Sequence, residues 1–302
     1  MLLPMLPRDM GRLLLIVYRY KVLALILTVL VPHSLMASPV KLTLPNNKIV
    51  TATWIEGDKA KPAIMVMHGF LQTYSFRATS NIIEGLSSQG FAILGPNLSL
   101  GISGRQQSMQ CQAAHQHTFE GDLEEMKAWT NWLKAKGYKS FIVVGHSWGS
   151  QHGISFVNTY PKVPVKAVIA ISLIPPRIKK EIRDEQIGYA KRLLKTSSTA
   201  LHRYTLSFCK AYTSTAAGYL SYAACDQKKI IKGLGKLRLR KIPVYVVLGS
   251  ADRRVDADWI ATIKKYSRLI VIKGANHFFS SVYELELADK LEEILGQLAT
   301  QR

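Results

Sequence analysis

Phe141-Ile142-Val143-Val144-Gly145-His146-Ser147-Trp148-Gly149-Ser150 reads as a buried strand that runs into a serine between two glycines. One aromatic and three β-branched residues in succession suit a central strand of a parallel sheet, covered on both faces, where no polar alternation is needed. Gly145 to Gly149 then spell G-x-S-x-G. Glycines on either side let the backbone turn sharply from strand to helix and leave the serine hydroxyl exposed at the apex. The same turn sets the Trp148 N–H in the first turn of the next helix. An unpaired donor and the helix dipole there favour a developing oxyanion.

Outward from this stretch the chain keeps a strand–helix rhythm. Residues 40–44 and 49–55 are two short strands at an antiparallel edge, separated by the turn Pro45-Asn46-Asn47. A buried strand over 63–67 ends in His68-Gly69-Phe70, a helix covers 75–88, and a strand follows at 91–94. An amphipathic helix spans 118–136, with Trp129, Trp132 and Leu133 at core spacing i, i+3, i+4. The elbow helix continues over 151–159 until Pro161, and a β-branched strand occupies 165–171. Strands at 244–248 and 270–272 lead into Gly249-Ser250-Ala251-Asp252 and Gly274-Ala275-Asn276-His277, and a last amphipathic helix covers 284–298. The alternation predicts an α/β fold with a mostly parallel central sheet and helices on both faces.

A serine hydroxyl needs a neighbouring base to attack near neutral pH, and an imidazole base needs a carboxylate to hold one tautomer. Ser147, Asp252 and His277 supply the three groups, each at the C-terminal end of a predicted strand. Their order (nucleophile, acid, histidine), the G-x-S-x-G and the His-Gly loop together resemble the α/β-hydrolase superfamily over residues 48–299. The resemblance implies an oxyanion hole from the backbone N–H groups of Phe70 and Trp148, a helical cap inserted at about 175–240, and chemistry that needs no cofactor or metal. Within the superfamily the pattern looks most like the monoacylglycerol lipase and serine aminopeptidase branch. The elbow Ser-Trp-Gly-Ser is also similar to that of prolyl aminopeptidases, which carry glycine where this chain has His146. Asn97 stands where the family commonly has aspartate. Ser147, where dehalogenases and epoxide hydrolases have aspartate, points to acyl transfer to water.

Other polar residues have simpler readings. Asp256 and Asp258 fall where a helix would be capped, His152 lies inside the elbow helix and His202 lies in the insertion. Cys111, His115 and His117 are ligand types, yet no second cluster completes a four-ligand metal site, so a polar loop is expected there. Cys209 and Cys225 either bridge or remain buried thiols.

Residues 1–37 combine basic residues, a ten-residue apolar run at 22–31 and a terminal Ala37, a pattern expected of an export signal or, uncleaved, of an anchor. The 302-residue chain carries a formal charge of +20 without a zinc-finger or RNA-binding motif, so an anionic membrane or envelope polymer is a better partner class than nucleic acid. Residues 177–241 hold sixteen Lys and Arg against four Asp and Glu, a net +12. That charge is either a solvated face or a cationic lid, and Tyr204, Phe208, Tyr212, Tyr219 and Tyr222 beside it either pack in the core or line an acyl cleft. The expected function is an exported serine hydrolase of carboxylic esters. Alternatives are an aminopeptidase or amidase of the same fold, and a binding protein without activity.

Overall fold

In the computed structural model, residues 37–176 and 178–300 are described. The predicted leader over 1–37 therefore lies, but for Ala37, outside the described residues. Ten strands and eight helices follow one another among them. The strands are β1 (Ser38–Thr43), β2 (Ile49–Ile55), β3 (Ala63–Met67), β4 (Ile93–Asn97), β5 (Phe141–His146), β6 (Val165–Ile171), β7 (His202–Leu206), β8 (Cys209–Ser214), β9 (Val244–Gly249) and β10 (Arg268–Ile272). The helices are α1 (Arg77–Ser87), α2 (Phe119–Ala135), α3 (Trp148–Thr159), α4 (Lys180–Lys195), α5 (Ala216–Ala223), α6 (Gln227–Leu239), α7 (Ala257–Lys264) and α8 (Tyr283–Thr300).

Eight strands form one sheet in the order β1-β2-β4-β3-β5-β6-β9-β10. β2 runs antiparallel to both β1 and β4, and every pairing from β4 to β10 is parallel. Every residue of β3, β5 and β9 is buried, as expected of strands covered on both faces. Their side chains alternate between two cores. Met65, Val143, Val168 and Val246 meet the apolar stripes of α2, α3, α6 and α7, whereas Ile64, Ile142, Val144 and Ile169 meet α1 and α8. With the sheet filled from both sides, chemistry is confined to the loops at the strand ends.

Between β6 and β9 the chain leaves the sheet. A helix was expected around residues 201–212, but residues 202–214 form a two-stranded antiparallel hairpin, β7–β8. The period of two is present at Tyr204 and Leu206 on β7 and at Tyr212 and Ser214 on β8, with Cys209 buried at the start of β8. No Asn-Gly marks the turn. Ser207 instead takes φ 55° at the first turn position, a conformation usually given to glycine.

The cysteines pair in a way the sequence reading did not consider. Cys111 is bonded to Cys209 across 98 positions, and Cys225 is a buried free thiol, so the Cys209–Cys225 bridge is ruled out. A flanking ladder explains the partner: the Thr213 N–H donates to Cys111 O (3.0 Å) and the His115 N–H to Thr213 O (2.9 Å), laying residues 111–115 along β8. Cys111 has thereby lost its ligating sulfur. The His115 ring stacks on Tyr212 at 4.3 Å, and His117 packs edge-on against Tyr222.

Candidate active site

Two glycines set the turn after β5. A Cβ on Gly145 would lie 2.2 Å from the carbonyl of Gly149, and one on Gly149 would lie 2.3 Å from Met67 O. Neither position admits a side chain. Between them Ser147 takes φ 55° and ψ −117°, a left-handed conformation that costs a non-glycine residue about 1–3 kcal/mol and recurs at functional sites. Its N–H donates to Ile171 O at 2.8 Å, which ties the apex to the neighbouring strand.

Three side chains meet there from three strand ends. The Ser147 hydroxyl donates to His277 Nε2 at 3.0 Å, and His277 Nδ1–H donates to Asp252 Oδ2 at 2.6 Å. All three residues are buried. Burial pushes the Asp252 carboxyl up, but the hydrogen bond and charge of His277, with help from Arg254, outweigh it and hold the carboxyl below its ordinary value. The Arg254 N–H donates to Asp252 Oδ1 at 3.0 Å. Asp252 is thus an anion, its second oxygen is occupied, and Nε2 of His277 faces the serine as the acceptor.

The main chain of His277 is also gripped. Its carbonyl accepts from Ser172 Oγ at 2.7 Å and from His146 Nε2–H at 2.9 Å. Burial and the adjacent His277 depress His146 to about 3, so this imidazole is neutral and donates through Nε2. Sequence reasoning gave neither residue this role; the spacing of 131 positions between His146 and His277 carries no local signal.

On the other side of Ser147 lies the loop after β3. His68 Nδ1–H donates to Gly69 O at 2.8 Å, and its Nε2 accepts from the Leu98 N–H (3.1 Å) and from Arg105 Nη2 (3.2 Å). Burial first, then the neighbouring Arg105, lowers His68 to about 3, which fixes that neutral tautomer. In a planar trans peptide the C=O and the following N–H point in opposite directions, so holding Gly69 O orients the Phe70 N–H away from His68. Among the described residues, no backbone acceptor takes a hydrogen bond from the Phe70 or Trp148 N–H. The rings of these two residues pack 5.1 Å apart.

The other acidic and histidine candidates are engaged elsewhere. Asp256 caps α7 by accepting from the Trp259 N–H at 2.8 Å, and Asp258 is exposed in that helix's first turn. His152 bonds Asp122 Oδ2 at 2.9 Å, and Asp122 also accepts from Tyr222. His202 accepts from or donates to Tyr189 in the insertion.

With this geometry in view, the comparisons with known proteins are informative. The family model described as "alpha/beta hydrolase fold" matches residues 62–201. Est1E from Butyrivibrio proteoclasticus superposes with a TM-score of 0.61 at 17% identity, over 87% of this chain and 99% of its own. The thermophilic esterase from Thermogutta terrifontis gives 0.60 at 16%, over 87% and 100%. The α/β hydrolase GrgF from Penicillium sp. sh18 gives 0.65 at 14%, over 88% and 100%. A comparison with curated proteins finds no match. The chain has the α/β-hydrolase fold.

In this α/β-hydrolase fold the hairpin of the insertion reaches back over the elbow. Trp148 Nε1–H donates to Ser207 Oγ at 2.9 Å, and the exposed Phe208 ring lies 5.8 Å from that of Phe70. Beneath the hairpin tip is a cavity of ≈ 370 Å³ that opens on Ser147 and His277. Its walls are largely apolar, from Phe70, Trp148, Ile174, Pro175, Phe208 and Phe278, with Gln72, Gln151 and Arg254 as polar members. Of the five aromatics singled out in the insertion, Tyr204, Tyr212, Tyr219 and Tyr222 are core, and Phe208 alone faces the cavity. Phe208 was among the aromatics expected either to pack in the core or to line a cleft, whereas Gln151, one helical turn beyond Ser147, and Arg254, which depends on loop conformation, were not singled out.

Proposed function

We propose that this α/β-hydrolase cleaves small carboxylic esters through an acyl-enzyme on Ser147. The observation that carries the reading is the hydrogen-bonded chain Ser147–His277–Asp252 at the floor of a cavity. Ser147 Oγ attacks the ester carbonyl carbon while His277 Nε2 takes the hydroxyl proton, and Asp252 stabilises the resulting imidazolium. The carbonyl oxygen, now an anion, accepts from the Phe70 and Trp148 N–H groups. Collapse breaks the bond to the alcohol, which leaves with the proton held by His277. Water then repeats the sequence on the acyl-enzyme and releases the acid, restoring Ser147.

An ester fits better than an aminoacyl amide. A substrate amino terminus calls for a carboxylate, and none is among the described residues that line the cavity, whose cation is Arg254. One of the similar structures is named as an esterase, which favours the same choice. Export is part of the proposal, supported by the Cys111–Cys209 bond, since disulfides persist mainly in oxidising compartments. So is an anionic membrane or envelope surface as the partner of the basic insertion.

A fluorophosphonate probe should label the wild type and not Ser147→Ala. A panel of acyl esters and aminoacyl amides should show turnover of the esters. Labelling that persists in Ser147→Ala, or turnover of the amides alone, would overturn the reading.

A further inference from the structure

Two carboxamides open onto the apolar cavity. Gln151, on α3 one turn beyond Ser147, is 2% exposed, and Gln72 follows the His68-Gly69-Phe70 loop. The Oε1 atom of each is buried without a hydrogen-bond partner among the described residues. On the same helix the Ser150 hydroxyl reaches the carbonyls of Gly145 (2.7 Å) and Ile171 (3.0 Å), and both nitrogens of His152 are bonded, whereas Gln151 and Gln72 each keep an oxygen that the described residues leave unpaired.

A half-turn of a carboxamide exchanges its oxygen and nitrogen, so either end can meet solvent while the site is open. A substrate that fills the cavity displaces that water, and it must then supply the partner itself or leave the amide unpaired, which is unfavourable. Hydrocarbon cannot supply it. A carboxamide both donates and accepts, so its natural complement is a neutral hydroxyl or a second amide. At ≈ 370 Å³ the cavity is also near the lower end of the ligand-pocket range of about 300–1,000 Å³, which favours a small substrate.

We infer that the site selects short esters carrying a neutral hydrogen-bonding substituent, hydroxyl or amide, and that Gln151 with Gln72 recognises it. This rests on the ester-hydrolase reading. Esters of plain alkyl chains are the disfavoured class, because they bury both amides unpaired.

The test compares isosteric ester pairs in which hydroxyl replaces methyl. One arm varies the acyl side, methyl 3-hydroxybutanoate against methyl 3-methylbutanoate. The other varies the alcohol side, the butanoates of 1,2-propanediol (through its primary hydroxyl) and 2-methylpropanol. Acid release gives kcat/KM for each. The wild type should favour the hydroxylated member by at least about tenfold in one arm, which also locates the substituent. Gln151→Met should reduce that ratio to about threefold or less. Should Gln151→Met fail to fold, Gln72→Met gives the second reading, with the ratio again reduced. A wild-type ratio near unity in both arms, with Ser147 still labelled by fluorophosphonate, overturns the inference and leaves the hydrolase reading standing. A large ratio that neither variant changes overturns the assignment to the two amides. Loss of labelling in the wild type overturns the hydrolase reading on which both depend.

Discussion

At the scale of single residues, the depressed Asp252 carboxyl and the tautomer it imposes on His277 lead to a direct expectation. Asp252→Asn keeps the size and one acceptor but loses the charge that orients the imidazole. The variant should stay folded by circular dichroism while turnover falls by about 10⁴, the loss that a mis-set tautomer causes in a serine protease. Undiminished activity would move the acid to Asp256, whose side chain now caps α7, or to Asp258 in that helix's first turn. Glu125 makes a second expectation. It is buried on α2, accepts from the Ser99 N–H at 2.7 Å, and is pushed up to about 7 by burial first and then by Asp122. The folded protein therefore holds a proton on Glu125 between the ordinary 4.5 and about 7, where the unfolded chain has lost it. Stability must fall as pH rises through that window and level off above it. Glu125→Gln, isosteric with the neutral acid, should flatten this slope, so that its unfolding free energy from urea titration gains on the wild type from pH 5 to pH 7.5, by on the order of 3 kcal/mol at most. Parallel free energies at the two pH values would refute the assignment.

Secondary-structure elements were legible where a short period repeats. The β-branched runs of β3, β5, β6 and β9 and the stripe of α2 follow from the sequence because burial on two faces or one face leaves a local pattern. The candidate triad was legible for a related reason: each member sits next to a glycine-rich strand end. The β7–β8 hairpin was not legible, since Ser207 stands where glycine would have announced the turn. Nor was the disulfide, because its partners are brought together by a ladder between β8 and a loop 98 positions away. A cross-link over a loop of that length is worth about 2–5 kcal/mol. Cys111→Ser should therefore lower the calorimetric melting temperature by roughly 5–15 °C. A thiol reductant should do the same to the wild type and nothing further to the variant. An unchanged melting temperature would mean that the ladder holds the hairpin unaided.

At the scale of the whole molecule, net charge is the feature with the widest reach. Residues 177–241 contribute +12 of the formal +20. Lys180 and Arg183 are already paired with Asp184, whereas Lys179, Lys191, Lys195 and Lys210 are exposed. If the insertion meets an anionic bilayer, each such lysine contributes about 1 kcal/mol near the surface. Binding to phosphatidylserine vesicles should then fall steeply with salt, as the Debye length shrinks to about 8 Å at physiological ionic strength. Replacing those four lysines by glutamine should weaken it by roughly a hundredfold or more. Hydrolysis of a small neutral ester should barely change with salt. Salt-independent vesicle binding, or none at low salt, would leave the charge as an ordinary solvated face.

The bond between Cys111 and Cys209 also decides what a broken chain would do. Its ring encloses the elbow and most of α4's surroundings, including the exposed turn at residues 196–200. A protease that nicks this turn divides the protein into one piece with Ser147 and another with Asp252 and His277. Under oxidising conditions nothing departs, because both pieces remain one covalent molecule, and a denaturing gel shows a single full-length band until thiol is added. The cut that separates the nucleophile from its base in sequence leaves them fastened together in space.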